Sequence, residues 1–293
     1  RAPEVSEGQL GAQSAGETDS GLRVLNLTEL LTHEFPEREA ILAPWLLTQS
    51  LTMVYAWRGV GKTHFAAGVA YAVATGGAFL KWRAPQARRV LYLDGEMPGP
   101  AIQARFRAMV EADERDFDPA NLLTLTPDAQ DGALPDLATR EGQDAIAALA
   151  ESHGVELIVV DNISTLCRDG GAENEAESWR GPQAWALRMR RAGKSVLFVH
   201  HTGKNGAQRG TSKREDVLDS VLLLKQPDDY DASQGARFIV TFDKHRGITA
   251  YMWAYTNKHI LHTQDKNGDE DNHVYAIDLT TGRLLGGHVG RCP

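Results

Sequence analysis

The chain has 293 residues, 42% of them hydrophobic and 24% charged, with a formal net charge of −8. That length holds one large α/β domain or two small ones, and no apolar run approaches the roughly 18 residues that a membrane span needs. The acidic balance argues against a basic face that coats duplex DNA, so any nucleic-acid surface must be local, gathered in a channel or on loops.

In chain order, residues 1–21 are polar and rich in Gly, Ser and Glu, which predicts a disordered tail. Short apolar clusters follow, among them Ile41-Leu42-Ala43-Pro44-Trp45-Leu46-Leu47, and lead into an apolar strand at Leu51–Tyr55. The pattern then alternates strand and helix. Helices are expected at Thr63–Ala74, Ala101–Ala112, Gly142–His153 and Glu175–Ala192, and strands at Val90–Asp94, Asn121–Leu125, Val155–Val160 and Ser195–His200. The near-continuous apolar runs in the last two strands suit a parallel sheet buried on both faces. Beyond them the character changes. Val217–Leu224, Arg237–Lys244, Thr249–Tyr255 and His273–Ile277 read as strands joined by turns such as Asn267-Gly268 and Thr281-Gly282. The expected fold class is therefore α/β, a mostly parallel central sheet flanked by helices with a C-terminal antiparallel extension. Cys167 and Cys292 have neither metal-ligand spacing nor a disulfide framework, so a reducing, cytoplasmic setting is expected, and no charged-then-apolar leader is present.

The most informative segment is Ala56-Trp57-Arg58-Gly59-Val60-Gly61-Lys62-Thr63, set between an apolar strand and a helix. This is a P-loop, with Ala56 in place of the first glycine. Backbone N–H groups of Gly59, Val60 and Gly61 can cradle phosphate only where the loop curls tightly, and the following helix contributes its positive end. Lys62 is expected to reach the β- and γ-phosphates and Thr63 to hold Mg²⁺, with the nucleotide contacting the stretch Ala56 to His64. About 100 residues later Leu157-Ile158-Val159-Val160-Asp161 brings a carboxylate to the end of an apolar strand, the place of the second Mg²⁺ contact. Glu96, just past the strand Val90–Asp94, is the candidate that orients the attacking water; Asp94 competes for that role but reads better as a strand-end residue.

The P-loop, the Glu96 run, the Asp161 strand and Val199-His200-His201-Thr202-Gly203-Lys204 together resemble the RecA-like ATPases, and within them the ring-forming replicative helicases of the plasmid RepA and DnaB type. The resemblance spans about Leu22 to Tyr255, which divides the chain into a tail over 1–21, an ATPase domain over 22–255 and a β extension over 256–293. It implies ATP and Mg²⁺ as ligands and His201 as a γ-phosphate sensor; a zinc role for His200 and His201 lacks a Cys or third His at ligand spacing. It further implies that the glycine-rich run after the histidines faces single-stranded DNA, with Lys204, Arg209, Lys213 and Arg214 on phosphates, and that a second loop, Arg168 to Asn174, lines the same channel. Lys244 and Arg246 match a Lys-x-Arg pair that reaches a neighbouring subunit's nucleotide, which would make a homo-hexamer obligatory for activity. A loader or primase is a possible partner and a membrane is not. The DnaB type carries a helical collar before its core and this sequence does not, which implies a minimal ring or a further domain ahead of Arg1. A recombinase filament and a DNA-independent regulatory ring of the circadian-clock type are the alternatives. The first predicts an exposed aromatic polymerisation motif before the core, and the tail up to Gly21 shows none; the basic run Lys204 to Arg214 argues against the second.

Overall fold

The computed structural model describes residues 23–168, 179–201 and 216–245, together with the backbone of four strands between 252 and 289. The expected tail lies outside the described residues. A first unit, ending at Glu37, carries the short helix α1 (Leu27–Thr32). Asn26 caps it by accepting the Glu29 N–H at 3.0 Å, and the Glu29 carboxylate accepts the Asn26 N–H at 2.9 Å.

The second unit begins at Arg38. The apolar cluster that precedes the core forms a small hairpin, β1 (Ala40–Leu42) and β2 (Leu46–Leu47). Next come β3 (Leu51–Ala56), helix α2 (Lys62–Thr75), a second small hairpin of β4 (Ala78–Phe79) and β5 (Trp82–Arg83), and β6 (Val90–Asp94). Helix α3 (Gly99–Glu111), β7 (Leu122–Leu125), helix α4 (Arg140–Ser152) and β8 (Leu157–Asp161) continue the alternation. The one-turn helix α5 (Ile163–Leu166) and helix α6 (Arg180–Arg191) lead to β9 (Ser195–His201), β10 (Ser220–Lys225) and β11 (Phe238–His245). Four antiparallel strands complete the sheet: β12 (Met252–Thr256), β13 (His259–Gln264), β14 (Glu270–Ile277) and β15 (Leu284–Val289).

The sheet order is β15-β14-β13-β12-β11-β10-β3-β9-β8-β6-β7. The six strands from β7 to β10 are mutually parallel, and β11 turns back antiparallel on β10. Alternate residues feed two cores. Val54, Tyr92, Val159 and Val199 face the side covered by α2 and α3, while Met53, Leu91, Ile158 and Phe198 face the side covered by α4 and α6. This is the three-layer α/β architecture that the unbroken apolar strands call for. Helix α2 is buried almost all round, and its five Ala and one Gly let its backbone lie close to the sheet. It stops at Gly76, whose φ of 65° closes the helix with N–H contacts back to Ala72 and Val73 carbonyls. Beside it Trp45, Phe65, Trp82, Phe238 and Phe242 pack together, edge to face except for the tilted Trp45–Phe65 pair.

None of the described helices is long and apolar enough to cross a membrane. The strand expected from Val155 starts two residues later, since Val155 is the first residue after the helix-ending turn. Strands β13 and β15 lack the unbroken apolar runs of the core strands, and the expected set lacks them.

Candidate nucleotide site

Strand β3 delivers the loop and α2 closes it. Gly59 and Gly61 hold φ of 79° and 111°, the left-handed region that glycine enters without strain. A side chain at Gly61 would also press within 3.0–3.1 Å of Ala236 and Phe238. Ala56 and Val60 are buried and support the loop from behind, whereas Trp57 is exposed. Arg58, Gly59, Gly61, Lys62, Thr63 and His64 line a cleft of about 610 Å³ at the carboxyl ends of the parallel strands. Lys62 is 5% exposed and donates to the carbonyls of Ala56 (3.0 Å) and Trp57 (2.8 Å). Burial draws its ammonium down to about 8, against the opposing pull of Asp161 and Glu96. A buried cation held only by carbonyl dipoles is matched to an anionic ligand.

Asp161 ends β8 and is 3% exposed. It accepts the Tyr92 hydroxyl at 2.6 Å and the hydroxyl of Thr63. Burial raises its carboxyl to about 6, opposed by those two hydroxyls. Asp94 plays the structural part expected of it. Its Oδ1 accepts the N–H groups of Glu96 (3.2 Å) and Met97 (3.0 Å), and its Oδ2 accepts the Thr126 hydroxyl at 3.2 Å. That turn carries Glu96 into the cleft.

Two contributors escaped the sequence reading. Asn162, 1% exposed, donates from Nδ2 to Glu96 Oε2 at 2.6 Å and lies 3.1 Å from His201 Nε2, so it joins the end of β6 to the end of β9. Its own Oδ1 caps α5 through the Thr165 N–H. The signal was the polar residue directly after Asp161. Glu96 Oε2 also lies 3.6 Å from His201 Nε2. Burial, then Lys62, pushes the His201 imidazole below its ordinary value, which favours the neutral ring. The second contributor is Arg105 of α3. It lines the cleft, and its Nη1 is buried with no hydrogen-bond partner among the described residues. It sits nine positions beyond Glu96, midway along α3.

The remaining expectations fall outside this cluster. Lys244 lies on β11, as expected, in register with Val221 of β10, and it does not line the cleft of its own chain. Arg246 and the basic residues Lys204, Arg209, Lys213 and Arg214 lie outside the described residues. Of the second loop only Arg168 is described. Its backbone N–H and guanidinium are tied back to Asp136 and Leu134, which takes that arginine away from a free channel role.

A family model described as an AAA domain (AAA_25) matches residues 18–207, well over half of the chain. The chain belongs to this AAA family. The matched segment of the AAA protein contains the P-loop, Glu96, Asp161, Asn162 and His201. Its fold is RecA-like. Among solved structures it is similar to a KaiC-like protein from the hyperthermophilic archaeon Pyrococcus horikoshii, with 11% identity, a TM-score of 0.53, and 86% of this chain and 94% of that one covered. A curated relative, dipeptidyl aminopeptidase BIII of Pseudoxanthomonas mexicana, is 50% identical over 44 residues, which is 15% of this chain and only 6% of that enzyme.

Family membership implies a nucleotide, and a nucleotide of this kind brings Mg²⁺. The residues fit both. A hydroxyl and a buried carboxylate, Thr63 and Asp161, form a hard-oxygen pair suited to Mg²⁺, which retains several waters and needs few protein ligands. Among the described residues no cluster of three or more His, Cys, Asp or Glu groups could cage a metal alone.

Proposed function

We propose that this AAA protein hydrolyses ATP between subunits of a ring and uses the cycle to move along single-stranded DNA, as a helicase in the replication of a plasmid, phage or mobile element. Lys62 exchanges its loop carbonyls for phosphate oxygens, and the α2 N-terminus adds to the pull. Thr63 and Asp161 would hold Mg²⁺, which neutralises charge on the phosphates when bound. Glu96 orients the attacking water, and Arg105 offers its buried Nη1 to charge developing on the terminal phosphoryl group. Lys244 and Arg246 of a neighbour complete the site.

The observation that carries this reading is the Glu96–Asn162–His201 chain of contacts. His201 is the last residue of β9, and the basic run Thr202 to Arg214 follows it directly. A change at Glu96 is thus one side chain away from the segment proposed to touch DNA. The P-loop cleft supports the ATPase part; the basic run and the Lys244-x-Arg246 pattern support the DNA and ring parts.

Steady-state hydrolysis with and without single-stranded DNA, beside a strand-displacement assay, tests it. The expected result is DNA-stimulated hydrolysis and unwinding in wild type. Asn162→Ala should keep basal hydrolysis within about tenfold while losing most of the stimulation, because the relay and not the water-orienting carboxylate is removed. Hydrolysis indifferent to DNA, with no displacement, would contradict the helicase and favour a regulatory ring.

A further inference from the structure

Within the apolar run of β6 one side chain carries a polar tip. Tyr92 is fully buried, in the layer that it forms with Val54, Val159 and Val199 under α2 and α3. A phenylalanine would fill nearly the same space, and a buried hydroxyl costs free energy unless it finds a partner. The partner here is Asp161. Tyr92 Oη donates to Asp161 Oδ2 at 2.6 Å, the one hydrogen bond of that hydroxyl among the described residues. We infer that Tyr92 is a positioning residue for the metal: its hydroxyl fixes the direction in which Asp161 presents its carboxylate beside Thr63, an inference that rests on reading the P-loop cleft as a Mg-nucleotide site.

The register explains how the two residues meet. Tyr92 pairs with Val159 on the neighbouring parallel strand, and Asp161 follows two positions later on the same face. A strand side chain leans along its strand, so a side chain as long as tyrosine carries its tip to position 161. The ring is confined, because Phe106 of α3 packs on it edge to face with centroids 5.6 Å apart. The donor thus comes from the packed core of the sheet and not from the P-loop. The same register sets a problem that this donor solves. Asp94 pairs directly with Asp161, so two buried carboxylates lie opposite each other on adjacent strands. Like charges so placed repel. Each carboxylate has donors of its own. Asp94 is held by the Thr126 hydroxyl and the N–H groups of Glu96 and Met97, and Asp161 by the hydroxyls of Tyr92 and Thr63. Of the two that hold Asp161, Thr63 is itself a proposed metal ligand, which leaves Tyr92 as the orienting partner behind it. Outer-shell hydrogen bonds of this kind aim metal-ligating side chains.

Tyr92→Phe removes the oxygen and keeps the ring. The probe is Mn²⁺, which takes the same hard-oxygen ligands as Mg²⁺. It is titrated by electron paramagnetic resonance into the full chain loaded with the non-hydrolysable imido analogue of ATP, and the affinity of that analogue is measured separately in EDTA. Mn²⁺ affinity should be at least about tenfold lower in Tyr92→Phe, with analogue affinity in EDTA within about twofold of wild type. Counting only the fraction that binds the analogue removes misfolded protein from the comparison. Ile146→Val, which trims one buried methyl group on the opposite face of the sheet, controls for lost stability and should keep the wild-type Mn²⁺ affinity. Mn²⁺ affinity in Tyr92→Phe within about twofold of wild type, or an equal loss in Ile146→Val, would overturn the inference while leaving the nucleotide site intact. A wild type that binds the analogue neither in EDTA nor with Mn²⁺ would overturn the site itself, and the inference with it.

Discussion

At the amino ends of the parallel strands, Arg88 is 6% exposed yet its two Nη groups reach Glu39 and Glu156. Nearby, Arg38 forks onto Asp219 at 3.2–3.3 Å, and Asp219 also accepts the Leu51 N–H at 2.9 Å. At the carboxyl ends of the same strands the pattern reverses. Lys62 is held by carbonyls alone, Asp161 by two hydroxyls, and buried nitrogens of Arg105 and His201 have no partner among the described residues. Burial costs a charge about the same at either end, so charges that make no hydrogen bond to an opposite charge mark where a ligand supplies one. At the amino end the charges pair within the chain, although Arg88 Nε is also buried with no partner among the described residues; at the carboxyl end a ligand is needed to complete them.

The sharpest way to break that contrast is Glu96→Gln. It keeps the shape of the side chain and removes the carboxylate, so kcat should fall by about 10²–10⁴-fold while nucleotide affinity stays within a few-fold. An unchanged kcat would move the water-orienting role elsewhere.

Asp161→Asn tests the same end through stability. Burial raises the carboxyl to about 6 in the fold, against 3.8 for an ordinary aspartate. Between those values the folded chain holds more protons than the unfolded one. Its stability therefore falls as pH rises through that window, and the loss is complete above it. Without nucleotide at pH 7, Asp161→Asn should be more stable by roughly 2 kcal/mol in urea melts, yet inactive in hydrolysis. Mg-nucleotide should stabilise wild type and not the variant. A variant less stable than wild type in the free state would show that Asp161 is satisfied by its hydroxyls alone.

Arg88→Ala provides the opposite arm. Both its partners are partly exposed, so the expected loss is about 2 kcal/mol and not the larger cost of a fully buried pair. Nucleotide affinity per folded molecule should not change, and a change would tie the two ends together. The smallest effect is a pH dependence. Lys62 titrates near 8 in the free protein, so nucleotide affinity should decline as pH rises beyond that value and the ammonium is lost. An affinity flat to pH 10 would remove Lys62 from the phosphate contact.

Much of this was legible in the sequence where one residue type answers one physical demand. The apolar strands at Val90 and Leu157 announced a sheet buried on both faces, and the Gly-Lys-Thr turn announced the loop. Glu96 and Asp161 followed because strand ends deliver side chains to one edge. Asn162 was hidden, since its role depends on β6 and β9 coming together across β8, a contact between residues 66 and 39 positions away. Arg105 was hidden for a related reason, being one polar residue among several on an amphipathic helix. The β4–β5 hairpin was hidden as well, since its two-residue strands leave no periodicity to read.

Calorimetric titration of Mg-ATP into wild type and Lys62→Ala is the most direct measurement. Saturable binding to wild type, weakened at least about tenfold by loss of the ammonium, is the expected result. No binding to wild type, or equal affinity in the two, would contradict the assignment of the carboxyl end of the sheet to nucleotide phosphates.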